Sequence, residues 1–223
     1  TFRWKGRYSR NMNVRETLLL ELNVFEKFHP VLPEEYRNTP YVFLGNIHPA
    51  LQLDVLAQMK SPRLTACDTI DCWIKDEGKR LKQLLKKINI FFLNDAEAEL
   101  LTGEHNIISA AKKILKLGPE YVVLKKGEHG SLLFSRNGCF SAPAFPVENV
   151  CDPTGAGDSF AGGFMGYLAM TGRHDEKTMR KAMVYGSVIA SYCVEDYSTG
   201  RFFGIKFKNL DKRFREIRQS TAF

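Results

Sequence analysis

The sequence predicts an α/β fold, with a mostly parallel central sheet flanked by helices on both faces. Three observations carry this expectation. Between residues 41 and 124, short apolar runs alternate with stretches of helical spacing, the βαβα order of a parallel sheet. Residues 131–142 then change the pattern to two short strand-like runs around Arg136-Asn137-Gly138, a hairpin signal. Finally, a glycine-rich turn over residues 152–163 runs straight into an apolar helical stripe.

The elements follow in order. Leu18–Asn23 is expected as a strand between polar and aromatic flanks. Tyr41–Gly45 is a short apolar run closed by glycine, and Pro49–Met59 has helical spacing. Arg63–Cys67 is strand-like, and Trp73–Leu85 is expected as one amphipathic helix. Ile88–Leu93 has the continuous apolar character of a strand buried on both faces. Ala96–Leu101 is a short helix, Ile107–Leu117 a second that stops at Gly118-Pro119, and Tyr121–Leu124 the next strand. After the hairpin strands Ser131–Phe134 and Cys139–Ala142 come helices near Ala156–Met170 and Asp175–Tyr192. Phe207, Leu210, Phe214 and Ile217 mark an amphipathic C-terminal helix.

Composition narrows the function classes. The chain has 223 residues, 44% of them hydrophobic, which suits one domain with one sizeable core. No run is long enough for a membrane span, and the first residues lack the shape of a signal peptide. Cys67, Cys72, Cys139, Cys151 and Cys193 are odd in number and scattered, which disfavours a disulfide or zinc framework and suits the cytoplasm. The net charge of +7 is concentrated at the ends. Apolar residues interleave with the C-terminal cations, so a solvated basic helix face with general attraction for anions is expected, rather than a nucleic-acid site.

The chemistry centres on Asp152-Pro153-Thr154-Gly155-Ala156-Gly157-Asp158. Small residues let the backbone approach a ligand, and Phe160, Phe164, Tyr167 and Leu168 continue at helical spacing. The N–H groups of Gly155 to Asp158 thus open a helix, where unpaired donors and the helix dipole favour an anion. Asp158 is a carboxylate in that turn, placed to accept a proton from an attacking hydroxyl. An anion cradle beside a base points to phosphoryl transfer. A plain helix start is the competing reading, but Gly162-Gly163 inside the helix is costly and calls for a further demand. Asn94 with Glu97, after a buried strand, has capping-box spacing. Lys125-Lys126-Gly127-Glu128-His129-Gly130 follows another strand.

This glycine-rich segment resembles the second signature of the PfkB/ribokinase family of carbohydrate and nucleoside kinases, Asp-Thr-x-Gly-Ala-Gly-Asp, with Pro153 in place of the first Thr. The resemblance extends over most of residues 41–200. It implies a ribokinase-like fold and an ATP-dependent transfer of the γ-phosphoryl group to an alcohol of a sugar or nucleoside. It makes Asp158 the base and Gly155, Ala156 and Gly157 the anion hole. The family's Asn-x-x-Glu motif maps onto Asn94 and Glu97, implying a Mg²⁺-orienting and phosphate role. Its Lys/Thr-x-Gly-x-x-Gly loop maps onto Lys125, Gly127 and Gly130 as nucleotide contacts. Gly186 and Ser187 fall on the helix that walls the adenine site, and Asp152 with the Thr154 backbone resembles part of a monovalent-cation site found in some members.

The acceptor is less clearly written. Asn46 and Asp68 follow strands and are candidates for its pocket. Many sugar-kinase members carry Asp-x-Asn-x-Arg at the second strand, whereas Ile70 and Cys72 stand here at the Asn and Arg positions. Residues 1–29, with Arg3, Trp4, Arg7 and Tyr8, are expected as a lid-associated segment. The family's further N-terminal portion and most of its β lid are expected to be absent, and two copies of family members often pair through that lid. A non-catalytic nucleotide-binding protein on the same fold is the alternative function.

Overall fold

The computed structural model describes residues 1–10, 12 and 15–222. β1 (Arg3–Tyr8) and β2 (Arg15–Glu21) form an antiparallel ribbon with a register shift between Lys5 and Gly6. β1 was not among the expected strands. Its alternation of Arg3, Lys5 and Arg7 with Trp4, Gly6 and Tyr8 has period two, but little apolar content advertises it. β2 ends at Glu21, earlier than the expected strand over 18–23, because Asn23 takes a positive φ of 51° and opens a short 3-10 turn.

The main sheet has the strand order β3 (Tyr41–Leu44), β4 (Leu64–Asp68), β5 (Ile90–Asn94), β6 (Tyr121–Lys125), β7 (Ser131–Ser135), β8 (Gly138–Ala142). β3 to β6 run parallel, and β7 and β8 return antiparallel around the turn at Arg136-Asn137. Ile90, Phe91, Phe92 and Leu93 are all fully buried, as the unbroken apolar run of β5 requires. Alternate side chains supply two cores. Val42, Leu44, Cys67, Phe91, Leu93, Val122 and Leu124 pack against helices α1 (Pro49–Gln58), α2 (Asp71–Asp76), α3 (Gly78–Leu85), α4 (Asp95–Thr102) and α5 (Ile107–Leu115). Leu64, Ala66, Ile90, Phe92 and Val123 pack against α6 (Ala156–Thr171) and α7 (Glu176–Cys193). The Phe92 ring meets Phe160 and Phe164 of α6 edge-on, which fixes α6 over the middle of the sheet. α8 (Phe207–Ser220) covers α7 through Ile217, Leu210 and Phe214.

One expected helix is two. The stretch 73–85 divides at Glu77, whose φ of −122° and ψ of 24° leave the helical region. Gly78 follows, a poor helix former, and the Glu77 carboxylate is engaged by His48 and Arg80. Parallel strand order brings the C-terminal ends of β3 to β6 to one edge, where crevices of open α/β sheets form.

Candidate active site

The parallel register places Asp68, Asn94 and Lys125 together. Asp68 is in register with Phe92 of β5, and Asn94 with Lys125 of β6. All three lie at the last positions of their strands, so their side chains and the loops after them share one edge.

The N-terminus of α6 meets this edge. Gly155 adopts φ 82° and ψ 0°, a left-handed conformation that glycine takes without steric cost. Among the described residues, no side chain caps the helix. Among the described residues, no backbone carbonyl takes the N–H of Gly157 or Asp158. The turn is anchored from behind instead. The N–H of Cys151 donates to Val194 O at 2.7 Å, and the Thr154 N–H donates to Asp152 Oδ1 at 2.9 Å. The Cys193 thiol reaches Thr154 O at 3.5 Å. The start of α6 is therefore held firmly, the Ala156 N–H donating to Pro153 O at 3.1 Å, while the N–H groups of Gly157 and Asp158 are left without a backbone acceptor among the described residues.

Lys125 and Asp68 form a buried ion pair, Nζ to Oδ2 2.7 Å, with side chains 18% and 5% exposed. Asp68 is itself fixed, its Oδ1 accepting the Thr69 N–H at 2.8 Å. Gln52 of α1 ties the strand ends together, its Nε2 donating to Leu44 O, Gly45 O and Asp68 O at 3.2, 2.8 and 3.0 Å. Lys125 Nζ also lies close to the anion turn: a side chain at Gly157 would bring its Cβ within 3.1 Å of that nitrogen. Asp158 stands at the mouth of this recess, exposed at its surface, in the first turn of α6. Partial desolvation first, and the Asp68 charge second, push its pKa up, while Lys125 pulls it down.

Asn94 and Glu97 take a closed arrangement. Asn94 Oδ1 accepts the Glu97 N–H at 2.8 Å, and Glu97 Oε2 accepts the Asn94 N–H at 2.8 Å, a complete capping box. Among the described residues, no group of three or more His, Cys, Asp or Glu is placed to hold a metal ion. The donors of the recess are oxygens, amide N–H groups and one ammonium. That set suits a polyphosphate carrying Mg²⁺, an ion that keeps part of its water and uses few protein ligands.

The remaining expected residues scatter. Gly127 (φ 55°) lies in an exposed turn, and Gly130 (φ 84°) is buried where a Cβ would meet Ala142 O at 2.3 Å, so the end of β8 itself demands a glycine. Gly186, expected to wall the adenine site, packs against α6: a Cβ there would lie 2.9 Å from Phe160 O. It lets α6 and α7 approach closely, and Ser187 beside it is buried. Asn46 is exposed and accepts the Trp73 Nε1–H at 3.0 Å, and the Asp68 carboxylate is paired with Lys125. Of the first segment, the Tyr8 hydroxyl reaches Thr154 Oγ1 at 3.0 Å, which sets the ribbon against the loop before Gly155. Gln52 and the Asp68–Lys125 pairing were not read from the sequence. A glutamine on an apolar helix is the one visible trace of the former, and the latter joins residues 57 positions apart.

Known proteins resemble this chain in sequence and fold. The family model described as pfkB family carbohydrate kinase matches residues 26–203. A cytidine kinase from Thermococcus kodakarensis is 34% identical over 153 residues, covering 66% of this chain and 54% of that protein. The chain thus spans about half the length of this curated relative. A nucleoside kinase structure from Methanocaldococcus jannaschii superposes with a TM-score of 0.72 at 20% identity, covering 97% of this chain and 68% of that one. A putative ribokinase II from E. coli, in complex with ATP and Mg²⁺, gives 0.72 at 18% identity over 96% and 71%. These solved structures share the fold, and the sequence match across the sheet, the hairpin and the α6 turn places the chain in the pfkB family of carbohydrate kinases.

Proposed function

We propose that this protein is an ATP-dependent kinase that phosphorylates a hydroxyl of a nucleoside or sugar. The observation that carries the reading is the open N-terminus of α6, with Asp158 in its first turn and Lys125 beside it. Asp158 accepts the proton of the acceptor hydroxyl as its oxygen attacks the γ-phosphorus and the bond to ADP breaks. Its raised pKa makes it a better base than an ordinary aspartate. The N–H groups of Gly157 and Asp158, with the Gly155–Ala156 turn that orients them, receive the charge that builds on the phosphoryl oxygens. Lys125 adds a cation at the same place. Bound Mg²⁺ neutralises phosphate charge, and Asn94 and Glu97 are the residues for orienting it through water. Gly127 and Gly130 shape the loop that follows Lys125 along the nucleotide.

A nucleoside is favoured over a phosphosugar as acceptor. Ile70 and Cys72 stand where sugar kinases carry Asn and Arg, and two of the similar proteins are named cytidine kinase and nucleoside kinase. The five free cysteines suit the cytoplasm, and no helix among the described residues is long and apolar enough to cross a membrane. The test is ADP release from MgATP across a panel of nucleosides and pentoses, with cytidine and ribose as the first members. No acceptor-dependent release from any member, with the folded protein and saturating MgATP, would refute the kinase reading.

A further inference from the structure

We propose that Asp68 is a positioning residue for the base: it holds Lys125 on itself and so keeps the Asp158 carboxylate unpaired until a phosphate draws the lysine into the anion turn. The inference deepens the kinase reading and rests on it for its meaning, although its test does not need turnover.

The geometry is specific. The sequence places Asp68 among the acceptor contacts, but both carboxylate oxygens are engaged inside the protein, Oδ1 by the Thr69 N–H and Oδ2 by Lys125 Nζ. Gln52 fixes the same residue through its backbone carbonyl. Asp68 is therefore a rigid counter-ion. Lys125 is its mobile partner, with a flexible stem and N–H donors to spare beyond the one given to Asp68. That ammonium lies at the anion turn, next to where a Gly157 Cβ would sit. Among the described residues, no cation is within ion-pair distance of Asp158. The charges facing Asp158 are Asp68 from β4 and Lys125 from β6. On the α7 side the Cys193 thiol faces Asp158, and Asp152 of the preceding loop acts on that same thiol.

Without Asp68, Lys125 keeps Asp158 as a carboxylate within reach of its charge, which already draws the Asp158 pKa down. A direct pair there would hold the base ionised and lower its proton affinity. With Asp68 in place the lysine is parked, and its charge becomes available to an incoming phosphate by exchange of one acceptor oxygen for another. The pairing also compensates a partly buried ammonium, which is unfavourable without a partner.

The experiment is a carbon-13 NMR titration of the Asp158 carboxyl in the intact protein, assigned with Asp158→Asn. Asp68→Asn should lower the Asp158 pKa by about one unit, and Lys125→Met should raise it by a similar amount, as expected for removal of a like and an opposite charge at close range. Thermal melting establishes that each variant is folded. Shifts of the same sign in the two variants, or no shift in either, overturn the inference. The wild type supplies a reading free of any variant: Asp158 titrating at or below the ordinary aspartate value of about 4 also overturns it. Failure of the kinase reading would show separately, as a panel without turnover beside a normal set of NMR shifts.

Discussion

Two helices start at the same edge of the sheet, and they start in opposite ways. α4 begins with Asn94 and Glu97 closing on each other's backbone, so its first donors are satisfied within the chain. α6 begins with a left-handed glycine and, among the described residues, no side-chain cap and no backbone carbonyl on the N–H groups of Gly157 and Asp158. Capping typically contributes about 1 kcal/mol, so α6 forgoes stability that α4 keeps. Phe160 and Phe164 buried on the sheet, with the tie of Cys151 to Val194, hold the uncapped helix in place. The open start of α6 faces Lys125 and Asp68 at the sheet edge, and this contrast with the closed start of α4 is what the proposed anion site rests on.

The comparison breaks most sharply at Asp158. Asp158→Asn leaves the helix start intact and removes the base, so turnover with the acceptor found in the panel should fall about a hundredfold to ten-thousandfold. Nucleotide affinity, measured by calorimetry, should change little. A variant within about tenfold of wild type would leave α6 as an anion site without a base.

Gly155→Ala tests the turn. Its Cβ would meet only Cys193 Sγ, at an ordinary 3.8 Å, so the cost is backbone strain at φ 82°. About 1–2 kcal/mol of stability should be lost in a denaturant melt, with a matching loss of nucleotide affinity if the turn shifts.

Asn94→Ala probes the other helix. It removes a cap and should lower stability by about 1 kcal/mol. The Mg²⁺ concentration giving half-maximal activity decides whether Asn94 serves more than the helix. An unchanged value would confine it to capping, and a rise would support the proposed orienting role.

The smallest effect concerns pH. The pKa of Asp158 is raised in the folded chain, so the folded state binds its proton more tightly than the unfolded state does. Ionised Asp158 then costs stability above its folded pKa, and that cost vanishes as pH falls below the ordinary value of about 4. Asp158→Asn should therefore raise the melting temperature slightly at neutral pH and leave it unchanged in acid. A decrease at neutral pH would show that Asp158 supports the fold rather than burdening it.

The sequence by itself determined the layered α/β architecture, because strand and helix periods are local and the doubly buried β5 leaves an unbroken apolar run. It also determined the α6 turn, since Gly155-Ala156-Gly157-Asp158 fixes both the left-handed conformation and the carboxylate within four residues. It did not reveal β1, whose alternation carries few apolar residues, nor the break at Glu77, which depends on His48 from a distant loop. That Gly186 packs against Phe160 of α6 was likewise set by helix packing. Only the tertiary structure decided that Asp68 belongs to Lys125. That pair joins the ends of two strands that are not adjacent in the sheet, β4 and β6, and a charge pair across such a gap depends on register and burial, neither of which is written in local spacing.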